Sequence, residues 1–386
     1  MTQDIIEDKN MISENYNLWD KLLTQFNAGK VVPIFSNSFF LNRFFTSINS
    51  NFSHLHFDEV IAQQWAKDSG YPFRDTYDLA NVAQYNLFSN TSDENKKANA
   101  VDIKRDYLNL SKRYLQEFLE KNDKNPYKRI TEKDLREQTF SRIFAKVYQS
   151  YLPGENQQDW IGNDYIFKLV SKLKSDHEHI VKSYLTTGYY DFLEQVFQYL
   201  SIPYYTNYSD SHDYQGFVRV NKDKEEEFID IINPTIPRTP PYVYHIFGHE
   251  CRNNMVICED DHIQFLIDAY QPEEIHKSAI QSHPDFCPTL FRNNTLLFIG
   301  YRWRDWEFRT LFRWIMGVTH DKRKSLQRPS VVVQFQPGSQ KTLSNKKMAQ
   351  AYLQNYFDKK CQLDILWEDS EEFFCKLLGC EGISHE

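Results

Sequence analysis

The chain has 386 residues, a formal net charge of −8 at pH 7, and a composition that is 41% hydrophobic and 16% aromatic. This length and hydrophobic content suffice for one large α/β domain with insertions or for two domains. The acidic charge argues against a protein that wraps nucleic acid, and no stretch reaches the ~18 consecutive apolar residues of a transmembrane helix.

The amino-terminal sequence and the cysteines indicate a cytoplasmic protein with reduced thiols. The opening stretch MTQDIIEDKN is polar and acidic, unlike a secretory signal. The six cysteines lack CxxC spacing, which disfavours a disulfide or zinc framework. The acidic cluster at Asp210, His212 and Asp213 has no second ligand pair at a suitable spacing, so no metal site is predicted.

Residues 1–90 have the pattern of a first α/β segment. An amphipathic helix around Leu22 precedes the apolar strand Val31–Phe35. The turn of residues 36–38 then leads into a helix over Phe39–Phe45. Residues 91–180 differ, because charged helical periodicity dominates them, and we predict a helical insertion or subdomain there.

From residue 181 the α/β pattern returns and continues to residue 386, ending in C-terminal helices. Apolar strands are predicted at His179–Thr186, Phe217–Val220, Tyr242–Phe247, Thr295–Gly300 and Val331–Phe335. Most of these strands are followed by a turn and a helix, which predicts a parallel, largely buried sheet.

Six stretches stand out by their order and spacing. They read VVPIFSNSFF (31–40), AQQWAKDSGYPFRDTYDLANVAQY (62–85), YLTTGYYDFLE (184–194), PYVYHIFGHE (241–250), MVICEDDHIQFL (255–266) and LLFIGYRWRDWEFRTLFR (296–313). Together they resemble the sirtuin-like (SIR2-like) family associated with bacterial antiphage defence. The resemblance covers roughly residues 25–90 and 180–340. It implies a Rossmann-like parallel sheet of the sirtuin type with a largely helical insertion, and NAD in a crevice at the carboxyl ends of the strands.

The family's chemistry is cleavage of the nicotinamide–ribose bond of NAD, and its defence-associated members hydrolyse NAD. Its TTN turn supplies an asparagine that orders the attacking water or ribose hydroxyls, and its LHG motif supplies a histidine. Ungapped matching aligns Gly188 with the asparagine and Phe247 with the histidine. The glycine-rich GAG loop is replaced by residues 36–38, whose Cβ atoms obstruct the close approach of a pyrophosphate.

Three residues are candidates for the missing catalytic groups. His245, Phe247 and His249 point the same way if the strand continues, so either histidine is a candidate for a relocated base. Asp191, Glu194 and Asn37 are each candidates for contact with ribose or a water. The alternatives are structural or exposed histidines and an N-cap role for Asp191, with Glu194 on a solvated helix face.

The resemblance also implies a set of nucleotide-contacting residues. We predict cofactor binding by Ser36, Asn37, Ser38, Thr187, Gly188, Gly248, Gly300, Tyr301 and Asp305. Asp305 is alternatively a helix cap. Arg302 is a candidate for pairing with phosphate, or for ordinary stacking on a tryptophan.

Two hypotheses from different classes stay open. In the first, the chain is a NAD glycohydrolase with relocated catalytic groups, acting in an antiphage system. In the second, it is a catalytically degenerate subunit that binds a nucleotide or scaffolds a partner. Both predict NAD or a related nucleotide as ligand, and a second protein of a defence operon or a further copy of the chain as partner.

Overall fold

The structure, a computed structural model, describes residues 18–49, 56–73, 77–89, 100–122, 130–151, 164–173, 178–208, 217–229, 241–252, 254–270, 286–319, 331–334, 348, 351–352, 355, 363–366, 368 and 370–379. The acidic cluster at Asp210, His212 and Asp213 lies outside the described residues, as do Cys361 and Cys380. The other four cysteines are free thiols. Within the described ranges, no helix is long and apolar enough to cross a membrane.

The described strands form one nine-stranded sheet. They are β1 (Val31–Phe35), β2 (Ser183–Thr186), β3 (Tyr204–Thr206), β4 (Phe217–Val220), β5 (Glu226–Ile229), β6 (Tyr242–His245), β7 (Thr295–Ile299), β8 (Val331–Gln334) and β9 (Leu363–Leu366). Their order is β5-β4-β3-β6-β2-β1-β7-β8-β9. Neighbours are parallel except at β3–β4 and β4–β5, which confirms the predicted α/β fold with a largely parallel, Rossmann-like sheet.

Helices connect the strands and cover both faces of the sheet. They are α1 (18–27), α2 (Phe39–Ile48), α3 (Phe57–Ser69), α4 (Leu79–Ser89), α5 (Ala100–Lys121), α6 (Glu132–Glu137), α7 (Phe140–Tyr151), α8 (Tyr165–Ser171), α9 (Phe192–Tyr199), α10 (Glu259–Tyr270), α11 (Phe286–Asn293), α12 (Trp306–Thr319) and α13 (Ser370–Leu378).

The central strands are buried on both sides. On β1, Val32 and Ile34 belong to one hydrophobic cluster, whereas Val31 and Phe35 belong to the other. Successive side chains of a strand point to opposite faces, so a strand covered on both faces is apolar throughout. This burial explains the continuous apolar runs from which β1 and β7 were predicted.

The helical block of residues 91–180 packs on both faces of the sheet. Tyr107 and Phe118 of α5 and Phe144 of α7 join the cluster that contains Ile34. Phe167 of α8 joins the opposite cluster. The block thus shares the hydrophobic core of the sheet, and its treatment as a separate unit, with boundaries at residues 90 and 180, stays a prediction.

Candidate functional site

Four neighbouring strands bring their carboxyl ends to one edge of the sheet. The parallel strands β6, β2, β1 and β7 are adjacent in that order. The turns that follow them contain residues 246–249, 187–190, 36–38 and 300–305. Open α/β sheets bind ligands at such an edge, so these turns form the candidate site.

The turn after β1 is held by the Asn37 carboxamide, which is buried. Its Nδ2 donates to Asp58 Oδ1 and to the Tyr107 hydroxyl, both at 2.9 Å. Its Oδ1 accepts the Tyr189 backbone N–H at 3.1 Å. One side chain therefore joins the turns after β1 and β2 to helices α3 and α5.

Both serines of this turn are also buried and hydrogen-bonded. Ser36 Oγ donates to the Gly300 carbonyl at 2.7 Å. Ser38 Oγ donates to Asp58 Oδ2 at 2.7 Å and accepts the Asp58 backbone N–H at 3.1 Å. The three residues predicted to bind a cofactor are thus bonded to groups of the protein itself.

A carboxyl group from helix α12 reaches the same turn. Glu307 Oε1 accepts the Asn37 backbone N–H at 2.7 Å and also accepts the Thr187 hydroxyl in a short contact. Thr187 Oγ1 lies 2.8 Å from the Tyr301 hydroxyl, which donates to the Phe35 carbonyl at 3.0 Å. The predicted residues Thr187 and Tyr301 therefore join one network with Glu307.

Asp58 and Glu307 are two carboxyl groups bonded to the same turn, and each disfavours ionisation of the other. Burial raises the pKa of Glu307, and the Asp58 carboxylate raises it further. Burial also raises the pKa of Asp58, against the hydrogen bonds from Ser38, Tyr107 and Asn37 that lower it. Like charges in a buried site favour retention of a proton by the pair.

Gly188 has little room for a side chain. A Cβ atom built on it would lie 2.9 Å from Thr186 Oγ1, 3.5 Å from Asn37 Cα and 3.7 Å from Asn37 Oδ1. Thr186 Oγ1 also accepts the Gly188 N–H at 2.8 Å. The carboxamide beside this turn is therefore that of Asn37, which belongs to the turn after β1.

His245 forms a buried pair with Glu194. Its Nε2 lies 2.9 Å from Glu194 Oε1, and its Nδ1 lies 2.7 Å from the Gly188 carbonyl oxygen. Glu194 Oε1 also accepts the Thr206 hydroxyl at 2.9 Å. Glu194 is fully buried, so the expectation of a solvated position is wrong, because this face of α9 packs against β3 and β6.

The surroundings of His245 favour its charged form. A carbonyl oxygen only accepts, so Nδ1 donates to Gly188, and Nε2 donates to Glu194 when the ring is charged. Burial lowers the pKa of His245, but the Glu194 charge and the hydrogen bonds to Glu194 and Gly188 outweigh burial, and the pKa is raised. Both ring nitrogens are occupied in this arrangement.

His249 lies beside His245 in a different protonation state. The two ring centroids are 4.9 Å apart, and His249 stacks on Tyr208 at 3.6 Å. Burial lowers the pKa of His249 well below its ordinary value, and nearby His245 and Arg252 lower it further. Nδ1 accepts the Cys251 N–H at 3.3 Å, so Nε2 carries the proton of the neutral ring. Among the described residues, this Nε2 has no hydrogen-bond partner.

Phe247 does not share a face with the two histidines. β6 ends at His245, before the predicted end at Phe247. The Phe247 ring packs edge-on against His262 at 5.3 Å and Phe265 at 5.0 Å in the core. Strand alternation stops at the turn, so the position matched to the family histidine is a core position.

Asp191 occupies the N-cap position of α9 without capping it through its side chain. Its carboxylate accepts from Gln195 Nε2 at 2.5 Å, and its backbone N–H donates to Ser141 Oγ at 3.2 Å. The structure thus brings the predicted residues His245 and His249 together. Asp191, in contrast, forms these hydrogen bonds with residues of α7 and α9.

The turn after β7 is tightly packed. Gly300 has a φ of 79°, and a Cβ atom there would lie 2.9 Å from Ser36 Oγ. Arg302 Nε donates to buried Asp305 at 2.7 Å, and Arg302 Nη1 pairs closely with Glu59. The Arg302 guanidinium, a candidate for pairing with phosphate, is therefore already paired with two carboxylates.

The backbone conformation explains why residue 248 is a glycine. Its φ is 85°, and a Cβ atom there would lie 2.5 Å from the Asn254 carbonyl oxygen. Glycine is therefore required for the conformation of this turn, and its contact with a cofactor stays a prediction.

Three residues of the network were not predicted as site residues: Asp58, Tyr107 and Glu307. Glu194 was predicted only as one candidate for contact with ribose or a water, and not as the partner of His245. Acidic residues near helix starts are ordinarily caps or solvated groups, so their burial had no local signal. The family-like stretches 184–194 and 296–313 do contain Glu194 and Glu307. Tyr107 lies in the helical block, and only the tertiary structure shows its contact.

The site residues give no indication of a metal. In the described part of the chain, no group of three or more His, Cys, Asp or Glu side chains is arranged to hold a metal ion.

Comparison with known proteins identifies part of the chain. No curated protein matches the sequence. Residues 182–359 match the family model described as the SIR2-like domain, a stretch that contains β2, β6 and β7 with their turns. The stretch that contains these strands and turns is therefore similar to a SIR2-like domain.

Proposed function

We propose that the chain is a NAD-linked subunit of a bacterial antiphage defence system, and that it hydrolyses NAD to nicotinamide and ADP-ribose when activated. The main support is that one hydrogen-bonded network joins the turns after β1, β2 and β7, and that His245 at the end of β6 bonds to Gly188 in the turn after β2. The β2, β6 and β7 parts lie within the SIR2-like stretch. NAD or a related nucleotide binds at this edge. A second protein of a defence operon, or another copy of the chain, supplies the activation.

In this proposal His249 contacts the ribose or the attacking water. Its neutral ring has an N–H at Nε2 that is buried and lacks a partner among the described residues. A buried donor of this kind is stabilised when a ligand or water accepts from it. The adjacent His245–Glu194 pair orients the cluster.

A second candidate function is binding without catalysis. It is favoured by the two lost catalytic groups: Gly188 has little room for a side chain, and Phe247 is packed in the core. His245, one strand repeat away, has both nitrogens bonded. In this alternative, the domain binds a nucleotide or scaffolds a partner that holds the activity.

One experiment separates the two candidates. NAD is incubated with the purified chain, alone and with the proteins that copurify with it, and nicotinamide and ADP-ribose are quantified by mass spectrometry. Release of both products supports hydrolysis. Binding of NAD or ADP-ribose by calorimetry without turnover supports the second candidate. Absence of both turnover and binding contradicts a NAD-linked role.

If turnover occurs, we expect His249→Ala to lower it by about 10²-fold or more, the range of a lost proton-transfer or water-positioning group. The matched control is His179→Ala, which removes a half-buried histidine bonded to the Val170 carbonyl before β2. We expect the control to retain activity. Full turnover by a folded His249→Ala protein would remove His249 from the mechanism.

A further inference from the structure

Glu307 occupies a position suited to a bound anion. Its Oε1 accepts one backbone donor, the Asn37 N–H at 2.7 Å, and one side-chain donor, the Thr187 hydroxyl. These donors belong to the turns after β1 and β2, which are adjacent parallel strands. A phosphate oxygen and a carboxylate oxygen accept from backbone N–H and hydroxyl donors in the same way.

The ionisable groups bonded to this turn are carboxyl groups. Asp58 bonds to Asn37 and Ser38, and Glu307 bonds to the Asn37 N–H. Arg302 in the turn after β7 is already paired with Asp305 and Glu59. When Glu307 is ionised, an anion placed at Asn37 is therefore repelled by it.

We propose that Glu307 is the resident occupant of the anion position at Asn37 and Thr187, and that a phosphate-bearing nucleotide binds there only by displacing it. This inference rests on the proposed function, because it specifies how a nucleotide is held off the same site. Glu307 lies near the start of α12, so displacing its carboxyl group requires a rotamer change or a shift of that helix end.

The proposal predicts that ligands with and without a phosphate group respond differently to a substitution of Glu307. A ligand with a pyrophosphate group competes directly with Glu307 for the two donors. A nucleoside without phosphate, such as nicotinamide riboside, needs neither donor. Burial and nearby Asp58 raise the pKa of Glu307 to about 8, so Glu307 carries its full charge only above that pH. Removing this charge is therefore expected to strengthen binding of phosphate-bearing ligands selectively above pH 8.

The test is calorimetric titration of ADP-ribose, inorganic pyrophosphate and nicotinamide riboside into the wild-type chain and Glu307→Gln at about pH 9, above the raised pKa of Glu307. The amide retains an acceptor oxygen for Asn37, which keeps the turn bonded. The matched control is Asp78→Asn, since Asp78 Oδ2 accepts the Trp306 N–H at 3.3 Å at the start of the same helix. Asp78 is a second carboxyl group at this helix end whose pKa burial raises.

We expect Glu307→Gln to bind ADP-ribose and pyrophosphate on the order of 10-fold more tightly than wild type. Nicotinamide riboside binding and the Asp78→Asn titrations are expected to change less than about 3-fold. Equal gains in both variants would indicate a general charge effect and overturn the proposal. Wild-type binding with no gain in Glu307→Gln would overturn the proposal alone. No binding of any ligand to either protein would overturn the proposed function as well.

Discussion

At the scale of single residues, Asn37 governs the local arrangement. Its carboxamide bonds to Asp58, Tyr107 and the Tyr189 backbone, so all three of its donor and acceptor contacts cross between segments. The same side chain lies against the open side of Gly188. These two residues therefore depend on each other sterically.

This dependence is testable by a double-mutant cycle. We expect Gly188→Asn to destabilise the chain by about 1–3 kcal/mol, because the new Cβ would lie 2.9 Å from Thr186 Oγ1 and 3.7 Å from Asn37 Oδ1. In an Asn37→Ala background the loss is expected to be smaller by about 1 kcal/mol or more. Urea unfolding of the four proteins gives the coupling, and strictly additive losses would show that the two sites are independent.

At the scale of elements, a residue of the SIR2-like stretch caps a helix of the helical block. Glu250, just beyond the turn after β6, accepts the Phe140 N–H at 2.7 Å and the Ser141 N–H at 2.9 Å. These donors are the first N–H groups of α7, which lack partners within the helix. The start of α7 is therefore held by a residue far away in sequence.

We expect Glu250→Ala to destabilise the chain by about 1–3 kcal/mol, since it leaves the N–H groups of two buried residues, Phe140 and Ser141, unsatisfied. The matched control is Glu132→Ala on α6, which removes an exposed glutamate paired with Arg136. This control is expected to lower the unfolding free energy by no more than about 0.5 kcal/mol. Similar losses for both variants in urea unfolding would contradict the capping role.

At the scale of the whole molecule, Glu250 and His262 give the unfolding free energy opposite dependences on pH. Burial raises the pKa of Glu250 from 4.5 to about 7. Its contribution to stability is present below pH 4.5 and is lost as the pH rises through about 7. Burial lowers the pKa of His262 from 6.5 to about 4, so its contribution is present above pH 6.5 and is lost as the pH falls toward 4.

We therefore expect the two contributions to oppose each other between about pH 4.5 and 6.5, so that the unfolding free energy changes little there. Glu250→Gln should remove the fall that Glu250 causes between about pH 4.5 and 7, and His262→Phe should remove the rise that His262 causes between about pH 4 and 6.5. Urea unfolding across this range measures both limbs. A curve unchanged by either substitution would show that other groups set the pH dependence.

The sequence predicts more of the fold than of the site. β1 and β4 lie where their apolar patterns predicted, because strand burial repeats along neighbouring residues. The end of β6 was predicted too late, since hydrophobicity continues through Phe247 although the chain turns. The site needed tertiary information: the bond between Asn37 and Tyr107 joins residues 70 positions apart. Glu194 and Glu307 have ordinary helix-start sequences, and only packing shows that they are inward.

The packing of Asn37 against Gly188 also constrains how this sequence can change by mutation. An asparagine introduced at residue 188 in one step places its Cβ 2.9 Å from Thr186 Oγ1 while Asn37 still fills the adjacent space. The reverse order removes the three hydrogen bonds of Asn37 first. Each single substitution is therefore expected to pass through a less stable protein. Transfer of the asparagine from one turn to the other is thus expected to need both substitutions together.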